Sequence, residues 1–261
     1  MSNLLRSSAC VARVLLAALL VAGGVSDSIA AEAAPSLYAT ALATPGRSDK
    51  DKERDARDKP AEVLAFAGFK PGMRIADIFG GGGYYSEILA AVVGPQGKVL
   101  LVNNPGYAKF AAKAMAERFK DGRLAAVERS EVPNENLRLG KEQLDGALFV
   151  MSYHDLYWEE KDEFPRIDAA QFLEQVRAAM KPGAVLLIVD HSAVAGSGRA
   201  PAQTLHRIDE KFAIADLKSH GFELVKSYEG LRNPADDRLK PVFDETIRGK
   251  TDRFVHVYRR L

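Results

Sequence analysis

A chain of 261 residues, 47% apolar and 27% charged, carries enough apolar material for a buried core and shows none of the bias of a disordered or fibrous protein. Its 36 Lys and Arg nearly cancel its 35 Asp and Glu, which argues against the broadly basic surface that nucleic-acid binding needs. A single α/β domain is the simplest architecture at this size.

The first thirty residues read as a secretory signal. Arg6 and Arg13 precede the apolar run VLLAALLVAGGV, and Ser28, Ile29 and Ala30 supply a small-residue cleavage pattern, with the cut after Ala30. The run is short for a bilayer span, which favours a cleaved signal over a retained anchor. Cys10 precedes the apolar run and so does not read as a lipoprotein cysteine. Cleavage leaves a chain without cysteine, as suits an exported protein without disulfides. It also removes Arg6, Arg13 and Asp27 and leaves a formal charge of zero. The expected location is periplasmic or secreted, with no membrane span in the mature chain.

Residues 31–56 read as a polar extension. In TPGRSDKDKERDARDKP, residues 44–60, the charges alternate in sign, which suggests a solvated helix or linker rather than a binding tail. Residues 61–66 begin an amphipathic pattern, and FKPGMR supplies a turn, so the folded domain is expected over 57–261.

Short apolar runs bounded by Gly, Pro or charge then predict strands at 74–78, 98–102, 124–127, 144–150, 184–190, 222–228 and 254–258. Helical patterns fall among them at 84–93, 107–119, 168–180 and 210–220. Tyr85, Ile88, Leu89, Val92 and Val93 make one apolar face of the first, while Asp209 caps the last and Gly221 ends it. This alternation predicts an α/β, Rossmann-like, mostly parallel sheet with helices on both faces.

ADIFGGGGYYSEIL, residues 76–89, places four glycines between a strand and a helix, where backbone comes close to a ligand and helix N–H groups point outward. A dinucleotide fingerprint needs a further glycine at the position held by Ser86 or Tyr85, and a phosphate loop needs a following Gly-Lys-Ser/Thr. This glycine turn is followed by neither.

DIFGGGG resembles the first motif of the class I S-adenosylmethionine-dependent methyltransferases, an acidic residue followed by alternate glycines, with Phe79 at the first glycine position. MKPGAVLLIVD, residues 180–190, looks like that family's helix, Pro-Gly turn and fifth strand. YHDLYW (153–158), VDHSA (189–193), HRIDE (206–210) and KPVFDETIRGKTDRFVHVYRR (240–260) resemble a subgroup of exported bacterial predicted methyltransferases. The resemblance implies a seven-stranded sheet with the last strand antiparallel, and S-adenosylmethionine as cofactor. It places Asp77, Gly81, Gly82 and Gly83 along the cofactor's methionine and ribose side. It puts Asn103, followed by Asn104, where many members hold an acidic residue for the ribose hydroxyls, and Glu131, after the third strand, on the adenine side.

The histidines are an independent signal. His154 and Asp155 follow the fourth strand, His191 the fifth, and His206 and Arg207 precede the helix capped by Asp209. In a parallel sheet these positions share the carboxyl rim, where open α/β folds bind ligands. His220 and His256 fall at a helix end and within a strand, and read as structural. Three roles are open for the rim cluster. His154 or His191 could take a proton from an O, N or S nucleophile, with Asp155 or Asp190 orienting the ring. His154, His191 and His206 could join a carboxylate around a divalent metal, although their spacing matches no compact metal signature. The same groups could simply tie loops together by hydrogen bonds. Among the aromatic residues Tyr84, Tyr85, Tyr153, Tyr157 and Trp158, Tyr84 and Tyr153 stand nearest the expected site, where Tyr153, His206 and Arg207 are candidates for substrate contact.

Methyl transfer to an unidentified, preferably small-molecule acceptor is the leading functional reading, with no metal assigned and no nucleic-acid partner. The alternatives are a non-catalytic periplasmic binding protein on the same fold and a histidine-ligated metal enzyme. Asp77 and the glycines favour the first; Phe79 and Asn103 favour a repurposed pocket.

Overall fold

The computed structural model describes residues 36–261, so the signal reading and residues 31–35 of the extension lie outside it. Ser36 caps α1 (Leu37–Leu42) and Ser48 caps α2 (Asp49–Asp58), each accepting a backbone N–H with its hydroxyl. α3 (Pro60–Ala67) starts on proline and stops at left-handed Gly68. Strand and helix then alternate through β1 (Arg74–Ile78), α4 (Tyr84–Val93), β2 (Lys98–Asn103), α5 (Pro105–Arg118), β3 (Val127–Glu131) and β4 (Leu144–Val150). The chain continues as α6 (Ala169–Ala179), β5 (Met180–His191), α7 (Ala200–Leu205), α8 (Glu210–Ser219), β6 (Phe222–Tyr228) and β7 (Arg253–Arg260).

The seven strands form one sheet in the order β3-β2-β1-β4-β5-β7-β6, and β7 alone runs antiparallel to its neighbours. This is the Rossmann-like arrangement expected. Alternate residues of each strand feed opposite cores. Ala76, Ile78, Phe149 and Ile188 pack with Phe172 and Leu173 of α6 and Leu217 of α8. Ile75, Leu148 and Leu187 pack on the other face with Val63 and Leu64 of α3 and Ile88 and Leu89 of α4.

β1, β4, β6 and α4 keep the bounds read from the sequence. β3 does not: it begins where the apolar run at 124–127 ends, and Val127 is its one buried residue. At a sheet edge the partner strand sets the register, here from Val99 opposite Val127 to Asn103 opposite Glu131. Glu131 therefore ends β3 instead of following it.

The polar stretch expected to be solvated is packed. Asp51, Asp55 and Asp58 fall at i, i+4 and i+7, on one face of α2. Asp58 is buried between Arg54 (2.6 Å) and Arg253 (2.8 Å), and Asp51 meets Arg118 at 2.9 Å. Asp55 accepts from Arg47 and from the Tyr84 hydroxyl at 2.6 Å. The alternating signs of the sequence are an acidic helix face turned onto arginines of the domain. Among the described residues no helix is long and apolar enough to cross a membrane.

Candidate active site

The glycine turn closes β1. Phe79 takes a left-handed backbone (φ 53°) and lies buried, stacked on Tyr107 with ring centroids 4.7 Å apart. A Cβ on Gly80 would stand 2.5 Å from the Asp77 carboxylate, and one on Gly82 2.8 Å from the Ala114 side chain. Gly81 (φ 54°) instead faces open space, and glycine is required there by backbone conformation alone. Gly83 (φ 79°) opens α4.

Asp77 is buried beneath the turn and accepts from Ser86 Oγ at 2.7 Å. Burial raises its pKa to about 6, and the Ser86 bond offsets this only in part. Asn103 grips Gly81 with both amide atoms: Oδ1 accepts the Gly81 N–H and Nδ2 donates to the Gly81 carbonyl, each at 3.0 Å. Its side chain therefore shapes the turn. Asn104 caps α5 by accepting from the Tyr107 N–H. Glu131 borders a shallow hollow of about 420 Å³ between α5 and β3, floored by Ala108, Ala112 and Met115.

The histidine cluster forms on the same rim. His154 Nδ1 lies 2.7 Å from Asp190 Oδ1, and its Nε2 lies 3.2 Å from Asp155 Oδ1. Burial opposes its charge, but Asp155 and Asp190 outweigh burial and raise its pKa to about 10. Burial likewise opposes ionisation of Asp155, yet His154 holds that carboxyl below the usual range. Tyr107 donates its hydroxyl to the other Asp155 oxygen. His206, left-handed at the end of α7, brings Nδ1 to 3.6 Å from Asp155 Oδ1.

His191 differs in kind. Its Nδ1 meets Thr251 Oγ1 at 2.8 Å, and no described residue bonds its Nε2. Burial first, and then the charge of His154, hold its pKa well below the ordinary histidine value. Its surroundings thus favour the neutral form of His191, whereas the two carboxylates favour the protonated form of His154, which makes His191 the better placed of the two to accept a proton. Asp155 and Asp190 both serve His154, and a hydroxyl, not a carboxylate, orients His191.

Two candidates for substrate contact sit elsewhere. Tyr153 is fully buried and donates to Asp216 of α8. Arg207 is fully buried and grips Asp236 with two nitrogens at 2.8 and 3.1 Å, with further bonds to the Ser192 and Lys240 carbonyls. It fastens the long connection between β6 and β7. Tyr84 points to α2, under Arg54. Trp158 takes the aromatic place at the rim: its ring lies 5.0 Å from that of His206, and it helps line a cavity of about 660 Å³ with Tyr157, Asp168, Arg199 and Asp216. Tyr107 and Thr251 carried no signal in the sequence, because each acquires its role through a long-range contact. His220 and His256 bond to the Asp216 carbonyl and to Glu210 and Tyr258 respectively.

Neither a family model nor a curated protein sequence matches the chain. Solved structures do, and they define the fold as that of the class I methyltransferases. An S-adenosylmethionine-dependent methyltransferase from Aquifex aeolicus matches with TM-score 0.55 and 21% identity over 77% of this chain and 89% of its own. A 1,6-didemethyltoxoflavin N1-methyltransferase from Burkholderia thailandensis, solved with its substrate and S-adenosylhomocysteine, matches at 0.50 and 20% over 81% of each. The [4+2]-cyclase SpnF matches at 0.54 and 16% over 78% and 80%.

The residues here fit a nucleoside cofactor of that kind at three points: the open side of Gly81, the carboxylate beneath the turn and the hollow beside Glu131, which has a floor of alanine and Met115 and a rim of Lys109, Arg129 and Glu131. Glu131 stands directly opposite Asn103 in the sheet, so its carboxylate shares that strand end.

Proposed function

We propose that this chain is an exported S-adenosylmethionine-dependent methyltransferase acting on a small molecule, of the subgroup of exported bacterial predicted methyltransferases that its sequence resembles. What supports this most is a half-buried imidazole, His191, held through Nδ1 by Thr251 on the same strand rim as a glycine turn set over a buried carboxylate. Asp77 and the glycines at 81–83 would hold the cofactor, with Glu131 on its ribose and adenine side and Asn103 fixing the turn. When bound, the cofactor supplies a methyl group on a positively charged sulfur. With Nδ1–H given to Thr251, His191 presents the Nε2 lone pair to an O–H, N–H or S–H acceptor and takes its proton. The cavity beyond Trp158 has the volume of a small-molecule site. The sequence reading of residues 1–30 as a cleaved signal places the protein in the periplasm or medium, where S-adenosylmethionine must be delivered.

The test is calorimetric titration of the full chain with S-adenosylmethionine and S-adenosylhomocysteine. Micromolar binding that disappears in Gly81→Val supports the assignment; a folded protein that binds neither sinks it. One observation favours a second reading, a repurposed fold: Ala114 against Gly82 and Asn103 on Gly81 leave much of the turn to the protein's own packing. The neighbour named as a cyclase illustrates such a change of use.

A further inference from the structure

His154, Asp155 and His206 present three potential ligand atoms that all lie within 4.8 Å of one another. Two of the separations, 3.2 and 3.6 Å, bracket the roughly 3.4 Å between ligand atoms of a tetrahedral centre with bonds of about 2.0–2.1 Å. The supporting contacts are complete. Asp190, fully buried, holds His154 Nδ1 at 2.7 Å and so aims Nε2 at the centre, the arrangement by which carboxylates orient metal-binding imidazoles. Tyr107 fixes the free oxygen of Asp155, and His206 keeps a left-handed backbone between the rings of Trp158 and Phe243. Two buried or half-buried carboxylates around one imidazole match the charge of a dication. Asp155 and His206 are half-buried, so an ion can enter from solvent.

We infer that His154 Nε2, Asp155 Oδ1 and His206 Nδ1 form a binding site for one divalent first-row transition-metal ion, such as Zn²⁺, which takes the place of the His154 Nε2 proton and releases it to solvent. Two imidazoles and one carboxylate leave a coordination position open, as in metal sites that bind water or substrate. The site stands a ring-to-ring distance of 6.0 Å from His191, measured to His154. Metal and base would thus serve one acceptor. His191 is not a ligand in this arrangement, because its Nδ1 is turned to Thr251.

The full chain, untagged and stripped with a chelator, is titrated with ZnCl₂ by calorimetry and loaded with Co²⁺ for visible absorption, in the absence of any nucleoside. One Zn²⁺ per chain at micromolar or tighter affinity is expected, with a visible Co²⁺ band. Asp155→Asn and His206→Asn should each weaken binding at least ~10-fold, and Asp190→Asn by roughly 10–100-fold, as for other orienting partners. Asparagine is chosen at 206 because it tolerates the left-handed backbone; thermal melts verify that each variant is folded. Absence of Zn²⁺ binding by a cooperatively melting wild-type chain overturns the inference. So does a folded Asp155→Asn/His206→Asn double variant that binds as tightly as wild type. Both readouts are free of S-adenosylmethionine, so their failure leaves the methyl-transfer proposal standing.

Discussion

Burial lifts the Asp77 pKa from the ordinary 3.8 to about 6, so the ionised form is held at the expense of stability. Below pH 3.8 both folded and unfolded chains carry the proton. Between there and pH 6 only the unfolded chain releases it, and stability falls as pH rises, then stays lower. About two pKa units at 1.36 kcal/mol each set a ceiling of roughly 3 kcal/mol. Asp77→Asn, which still accepts from Ser86, is therefore expected to be more stable than wild type by about 1–3 kcal/mol at pH 7.5, with a smaller gain at pH 4.5. Urea denaturation at the two pH values measures this. The gain should accompany weaker cofactor binding, the usual exchange at a functional carboxylate. For His191→Gln the proposed base is lost while the turn is untouched, so methyl transfer should fall about 10²–10⁴-fold with cofactor affinity unchanged. Because its pKa lies well below 6.5, wild-type activity should hold through neutral pH and fall only in acid.

Elements with a one-sided apolar pattern were legible in the sequence, and those organised by charge or by a partner strand were not. α4 and β4 could be bounded from their own residues, because burial of Ile88, Leu89, Leu148 and Phe149 decides their periodicity. β3 has little apolar pattern, and its register is set by β2. α2 shows alternating signs that suit solvent equally well; only Arg118 and Arg253, far away in sequence, make its acidic face a packed one. Asp58→Ala leaves the buried Arg253 without its carboxylate and should destabilise the chain by about 3–5 kcal/mol, read from the urea midpoint. A surface helix would change by less than about 0.5 kcal/mol.

At the scale of the molecule, the rim is assembled from four separate returns of the chain. The glycine turn follows β1, His154 and Asp155 follow β4, His191 ends β5, and residues 229–252 come back from β6 to β7 carrying Phe243 and Thr251. The first three were legible because a parallel sheet places every strand end on one rim. The fourth was legible only as a loop over that rim, since nothing in its sequence says which residues it delivers. Arg207 is what holds it: Asp236 bonds both the guanidinium and the Asp252 N–H (2.7 Å), and Asp252 precedes the first residue of β7. Removing this charge leaves Asp236 buried without a counter-ion and lets the loop part from α7 and α8. Arg207→Ala should therefore destabilise the fold by about 3–5 kcal/mol. Arg207→Lys, which keeps the charge but not the two-pronged grip, should retain the fold yet release Thr251 from His191. The expected signature is a melt within a few degrees of wild type, together with a raised His191 pKa by proton NMR titration as water reaches the ring. A His191 titration identical to wild type in a folded Arg207→Lys variant would show that Thr251 is held by the rest of the loop, independently of the Arg207 anchor.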